Sequence, residues 1–346
     1  MPAQIDRAML GKRPWKLPGR LIAWALIEGR PLTTRARWMN PLVFLGLRVA
    51  QYVAPPVENT RPLFIIGTGR SGTTVLGKLL GMHRQVMFLN EPKALWHFAH
   101  GAEDIAGNYT DGPARIRLHA SDASPHIAQT VARVYGWARV WGRVRGRAGC
   151  VVDKYPEMVF RIGFLRALFA RARCVAILRD GVDTCCSVTR WSARKGRQSG
   201  ETSTDWWGRD GRKWRLIVDQ LVVDDPDLAP LAPMLRDTQN HNDRAAVEWI
   251  LAMRAAQQAH ADHPDTVLII HYEALCSAPD RTGARILHHC GLDHDPVFFD
   301  YARAVLRAPD NLKTLRLAPT LVPVFCRALG EMGYGASVPR VLARES

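Results

Sequence analysis

Leu63-Phe64-Ile65-Ile66-Gly67-Thr68-Gly69-Arg70-Ser71-Gly72-Thr73-Thr74 (LFIIGTGRSGTT) is the stretch from which the rest of the chain can be read. Four apolar residues enter a glycine-rich turn, and TTVLGKLLGM follows, with Val75, Leu76, Leu79 and Leu80 forming an apolar stripe at helical spacing. A buried strand passing through such a turn into a helix makes a phosphate cradle. The glycines let the backbone approach, its N–H groups point inward, and the helix dipole favours an anion. The turn fits two nucleotide-binding patterns and is faithful to neither. Read as G-x-x-x-x-G-K-[ST], it has Thr73 in place of the lysine that reaches a triphosphate; read as G-x-G-x-x-G, it has Arg70 where small side chains pack helix on strand.

Outward from this turn, short unbroken apolar runs recur at 86–89 (VMFL), 150–153 (CVVD), 174–178 (CVAIL) and 267–270 (VLII). Runs of this length without alternation suit strands buried on both faces, as in a parallel sheet. Helical periodicity fills gaps between them: Met158, Ile162, Leu165 and Phe169 in 157–171, and Val247, Ile250, Leu251 and Arg254 in 243–260. The expected class is α/β, three-layer with a central mainly parallel sheet and a P-loop-like nucleotide-binding core. Residues 92–149, with a helix capped by Ser124-Pro125, and residues 192–243 escape the alternation. Long insertions beside strand ends shape substrate pockets in such folds, so both are assigned to the acceptor side.

The chain has 346 residues, 47% apolar, which is enough for a sizeable core and excludes disorder as the main state. Its formal charge of +15 calls for an anionic ligand, a membrane surface or a nucleic acid. Residues 1–61 hold ten Lys and Arg against Asp6, Glu28 and Glu58, and Pro55-Pro56 and Arg61-Pro62 divide this basic N-terminal extension from a domain over 62–346. The apolar runs of the extension are cut by Glu28 and Arg48, too early for a membrane span or a signal peptide. The extension therefore either packs on the domain or lies against an anionic membrane face, and the chain is read as cytoplasmic with peripheral membrane association through this segment as the open alternative. Seven cysteines, odd in number and without a C-x-x-C pair, read as reduced core thiols; His288, His289 and Cys290 lack a second ligand pair, so no metal site is assigned. No zinc finger, helix-turn-helix or aromatic RNA-binding signature is found, and nucleic acid is not expected as a partner.

The nucleotide is decided by a second motif. CVAILRDGVDTCCSV places Arg179 at a strand end and Ser187 eight residues on, a pair able to converge on a second, separate phosphate. Two single phosphates, with no lysine for a triphosphate chain, describe 3′-phosphoadenosine 5′-phosphosulfate (PAPS). Here the sequence resembles the PAPS-dependent sulfotransferase family, and its bacterial and Golgi-type branch more than the cytosolic phenol enzymes. The resemblance covers roughly residues 62–295. It implies that Gly69, Arg70, Ser71, Gly72, Thr73 and Thr74 hold the 5′-phosphosulfate, that Arg179 and Ser187 hold the 3′-phosphate, and that Tyr272 in HYEAL lies near the nucleotide. Glu91 in FLNEP is similar to the family's carboxylate base, and Lys154 in VVDKYP to its K-x-P lysine.

On this reading Arg70 neutralises the 5′-phosphate, Lys154 meets charge developing at the bridging oxygen, and Glu91 takes the proton of an acceptor hydroxyl, with no metal required. The resemblance permits a glycan, a glycolipid, a peptide tyrosine or a small alcohol as acceptor. The basic N-terminus and the Trp-rich insertion (Trp206, Trp207, Trp214) favour a carbohydrate or lipid-linked one. The cytosolic branch's histidine base and C-terminal glycine-rich clasp are not in place; Lys313 is the candidate substitute for the clasp lysine, and His97 and His100 are the reserve bases. The competing classes are a P-loop ATP-dependent kinase-like enzyme, opposed by Thr73, and a basic nucleic-acid-binding protein.

Overall fold

All five apolar runs are strands of one parallel sheet: β1 (Leu63–Gly67), β2 (Val86–Asn90), β3 (Cys150–Lys154), β4 (Arg173–Leu178) and β5 (Val267–His271). This is a computed structural model, which describes residues 4–29, 37–53, 61–144, 149–309 and 312–345. The strand order is β2-β3-β1-β4-β5, so the strand carrying the glycine-rich turn is central. Registers are continuous, from Val86 opposite Cys150 to Leu178 opposite His271.

The absence of alternation has the expected cause. Phe64 and Ile66 enter one core together with Leu89, Ala176 and Leu178, while Leu63 and Ile65 enter the other with Val152, Val175 and Ile177. Seven helices matter here: α1 (Asn40–Val53), α2 (Thr73–Met82), α3 (Lys93–Ala99), α4 (Pro125–Trp141), α5 (Gly181–Lys195), α6 (His241–Asp262) and α7 (Tyr272–Ser277). Leu76, Leu79 and Leu80 of α2 and Leu275 of α7 fill the second core, and apolar residues of α3, α4, α5 and α6 fill the first. The result is an α/β three-layer domain.

α4 begins as its sequence asks, with Ser124 accepting a bond from the Ile127 N–H at 3.3 Å and Pro125 at the first helical position. The 157–171 pattern is different: Pro156–Arg161 is a 3₁₀ segment and only Ile162–Leu168 is α-helical. A spacing of three residues suits both helix types. The tighter turn carries Arg161 into the interior, where it meets Glu103 at 2.9 Å and the carbonyls of Ile116 and Arg115.

The extension is bound into the domain through charged side chains. β2 is an edge strand, and its outward polar groups are met in succession: Val86 O by Lys16 Nζ at 2.6 Å, Phe88 O by Arg20 at 2.6 Å, and Asn90 N–H by Glu28 Oε1 at 2.7 Å. Arg20 and Glu28 also form a two-pronged ion pair at 2.6 and 2.9 Å, both side chains buried. The glutamate that interrupts an apolar run in the sequence thus covers a sheet edge that would otherwise offer itself to another strand.

Candidate active site

Because the sheet is parallel, the C-terminal ends of its strands lie along one edge, the usual ligand crevice of an open α/β sheet. Following the spatial order β2-β3-β1-β4-β5, that edge carries Glu91, Lys154, the glycine-rich loop, Arg179 and Tyr272. Each strand contributes one group named in the sequence analysis.

In the loop, Ser71 is buried and returns its hydroxyl to Thr68 O at 2.7 Å, while Thr73 and Thr74 open α2. A Cβ at Gly69 would come within 2.4 Å of the Trp206 ring, and one at Gly72 within 2.4 Å of Tyr272, where φ is also +104°. Both glycines are therefore required by close approach. Arg70 is held at φ +69°, an uncommon conformation for a residue with a side chain.

Arg70 Nε donates to Ser187 Oγ at 3.1 Å, and Arg179 Nη1 donates to Arg70 O at 3.2 Å. The Arg179 guanidinium lies 4.5 Å from the centre of the Tyr272 ring, and its Nε is buried without a hydrogen-bond partner among the described residues. Desolvation, then the like charges of Arg179 and Arg194, push the Arg70 guanidinium down. These are the marks of a cationic cluster suited to an anion. The groups expected at two separate phosphates are joined here, since the loop arginine reaches the serine on α5.

On the other flank of β1, Asn90 pairs with Lys154 in the strand register, and the next N–H, of Glu91, donates to Lys154 O at 2.7 Å. Glu91 sits at φ +51°, and its carboxylate forms an ion pair with Lys154 Nζ. The lysine is 1% exposed and the glutamate 21%. Behind them Asp153 is fully buried, accepting from Tyr135 Oη at 2.5 Å and Trp96 Nε1 at 2.8 Å, and burial pushes its carboxyl up to about 7.

Glu248, Lys213, Glu157 and Lys93 were not singled out from sequence. Trp206, packed on Gly69, donates its indole N–H to Glu248 at 2.7 Å. Lys213 pairs with Glu248 at 2.7 Å and with Glu157 at 3.1 Å, and Lys93 stands 3.8 Å from Glu157. Burial opposes ionisation of Glu157, but Lys213 and Lys93 outweigh it and hold the carboxyl down to about 2. A chain of alternating charges thus runs from the loop's aromatic neighbour to the start of α3, two residues beyond Glu91. The available signal was Glu248 in the middle of an apolar helix face.

The three tryptophans separate. Trp207 and Trp214 are buried, their indoles donating to His241 Nδ1 and Leu235 O, while Trp206 is partly open and meets Trp191 edge-on. His97 stacks on Tyr109 at 5.0 Å, His100 packs edge-on against Phe164, and burial pushes both imidazoles down. Lys313 pairs with Asp183 at 3.4 Å, on the first turn of α5.

Residues 62–224 match the model of the sulfotransferase family. Among solved structures, the chain is similar to a sulfotransferase domain from the Synechococcus PCC 7002 olefin synthase, 18% identical over 73% of this chain and 83% of that one, with a TM-score of 0.42. It is likewise similar to a sulfotransferase from Mycobacterium avium, 14% identical over 90% and 84%, TM-score 0.45. A mouse sulfotransferase complexed with PAP is 12% identical over 85% and 92%, TM-score 0.35. No curated protein matches the chain in sequence.

Proposed function

We propose that this chain, whose residues 62–224 match the sulfotransferase family and its sulfuryl-transfer chemistry, takes the sulfuryl group from PAPS and delivers it to an acceptor hydroxyl. The observation that carries this reading is the distribution of groups along the sheet edge: anion-binding arginines and a serine on the β4 side of the loop, a lysine and a carboxylate on the β3 side. Two features of the chain fit the donor. Gly69 and Gly72 leave a cradle that a Cβ would fill, and the buried Nε of Arg179 has a donor to spare among the described residues.

PAPS, when bound, supplies an activated sulfuryl group on a phosphate leaving group. The residues of the chain bind and orient it. Loop N–H groups from 69 to 74 and Arg70 hold the 5′ end; Arg179 and Ser187 hold the 3′-phosphate, with Tyr272 against the Arg179 guanidinium. Lys154 is the cation for charge moving onto the leaving oxygen, and its burial strengthens that interaction. Glu91 receives the acceptor proton, and its partial exposure leaves it reachable from outside. The acceptor is a carbohydrate, a lipid-linked hydroxyl or a small alcohol entering between the 92–149 and 192–243 segments, with Trp206 as an aromatic wall.

Thermal shift with 3′,5′-ADP, ATP, NADH and duplex DNA tests the donor. A ligand at 100 times its dissociation constant stabilises by about 2.7 kcal/mol, so 3′,5′-ADP should raise the melting temperature and the others should not. A larger shift with ATP would return the loop to kinase-like chemistry.

A further inference from the structure

α1 has two apolar faces, and the domain uses one of them. Val43, Leu47 and Ala50 are buried, Phe44 packs against His97 and Phe98 of α3, and Gln51 bonds Thr130 of α4 at 3.1 Å. On the opposite face Leu42, Leu45, Val49, Tyr52 and Val53, together with Trp38 of the 3₁₀ turn Arg37–Met39 that leads into the helix, are between 54% and 78% exposed. They recur at the three-and-four spacing of one helical stripe. A helix bordering water carries polar residues on that side; here Arg48 is the one charged residue of the helix, and it too is exposed.

We propose that this face of α1 docks the protein on an anionic lipid surface. The charge of the flanking sequence fits that partner: residues 30–61 hold Arg30, Arg35, Arg37, Arg48 and Arg61 against a single acid, Glu58. Trp38 and Tyr52 stand at the two ends of the stripe, and their amphipathic rings suit the headgroup level of a bilayer. At 14 residues α1 is about 21 Å long, too short to span, so it lies in the interface plane. A second copy of the chain is the poorer occupant, because the face holds an arginine and no carboxylate to answer it. α3, on which Phe44 packs, starts two residues after Glu91. Docking through α1 therefore brings the carboxylate end of the sheet edge to within one helix of the lipid. The inference stands on the exposed face and the charge balance, independently of the donor assignment.

Flotation of the full chain with vesicles tests it, using pure phosphatidylcholine and a mixture in which about a third is phosphatidylserine. The wild type should float with the anionic vesicles at least about tenfold more tightly than with the neutral ones, and less tightly as salt is added. The Leu45→Glu/Val49→Glu variant should lose about tenfold or more in binding to both, with 3′,5′-ADP binding unchanged. Arg48→Glu leaves the apolar stripe intact and should reduce the preference for the anionic mixture several-fold with binding to the neutral vesicles unchanged, which decides the matter if the double variant folds poorly. Absence of flotation, or equal flotation of wild type and both variants, would overturn the proposal. So would a wild-type dimer that the double variant converts to monomer without any vesicle binding, which assigns the face to a second copy.

Discussion

Glu91 and Lys154 hold each other twice: the Glu91 N–H donates to the Lys154 carbonyl at 2.7 Å, and the Lys154 ammonium returns to the Glu91 carboxylate. The backbone contact extends the β2–β3 ladder by one bond and fixes Glu91 at φ +51°, turning its side chain out of the strand direction. Base and cation in the proposed reaction are thus one unit, and neither is changed without disturbing the other.

Glu91→Gln keeps the size of the side chain and its capacity to accept a bond from Lys154, but it cannot take a proton. With an unactivated acceptor hydroxyl, kcat should fall about 10²–10⁴-fold while 3′,5′-ADP affinity stays nearly unchanged. Turnover kinetics together with isothermal titration check this. Loss of nucleotide affinity in proportion to activity would remove Glu91 from the base role and bring His97 and His100 forward.

Arg179→Ala should weaken 3′,5′-ADP by about 1.5–3 kcal/mol, the range for a charge-assisted bond, and leave 5′-AMP nearly as before. Because Arg70 Nε bonds Ser187 Oγ, Ser187→Ala should give a smaller loss with the same preference for the 3′-phosphate. Equal losses for both nucleotides in titration would show that the cluster does not read the 3′ group.

At the β2 edge, Glu28→Ala leaves Arg20 charged and buried and the Asn90 N–H without its acceptor. Removing one partner of such a pair costs about 3–5 kcal/mol, and urea denaturation should record a loss of that order. Loss of the edge cover should also increase aggregation during refolding. An unchanged midpoint would mean that the extension does not contribute to the stability of the sheet.

Asp153 gives stability a pH dependence of definite sign. Burial raises its folded-state value from 3.8 to about 7, so between those limits the folded chain keeps a proton that the unfolded chain has released. Stability from this group is therefore complete below pH 3.8 and declines as pH rises toward 7. Asp153→Asn, which keeps an acceptor for Tyr135 and Trp96, should flatten that decline by about 2–4 kcal/mol across the window. Parallel stability curves for the two proteins, measured by denaturation at several pH values, would refute the assignment.

Why one part of this molecule was legible and another was not follows from how each is built. The strands at 63, 86, 150, 174 and 267 declare themselves because a strand buried on both faces needs no polar position, and the candidate site residues lie within a residue or two of the strand ends. Position along the chain therefore carried position in the site. Strand order was not written in any local pattern, yet it is what puts Lys154 on one flank of the loop and Arg179 on the other. The pairs Lys213–Glu248 and Arg20–Glu28 were missed for a different reason. Charged residues usually mean solvent, and only a partner distant in sequence or across a turn makes one a buried tie.

Trp206 is the one of the three insertion tryptophans that the fold leaves partly open, its ring lying on Gly69. Its indole N–H is fixed by Glu248, Lys213 lies 5.0 Å from its ring centre, and its edge meets Gly69, so the ring is held in place beside the loop. A rigid aromatic face can stack on a sugar or cover an alkyl group. If it belongs to the acceptor site, Trp206→Ala should raise the acceptor KM about 5–150-fold, corresponding to the 1–3 kcal/mol of a stacked ring, and leave 3′,5′-ADP binding within about threefold. Trp206→Phe, which retains a ring but not the bond to Glu248, should fall between the two. If instead Trp206→Ala weakens 3′,5′-ADP as much as it weakens the acceptor, the ring serves the nucleotide, and the acceptor must be sought nearer Glu91 and the 92–149 segment.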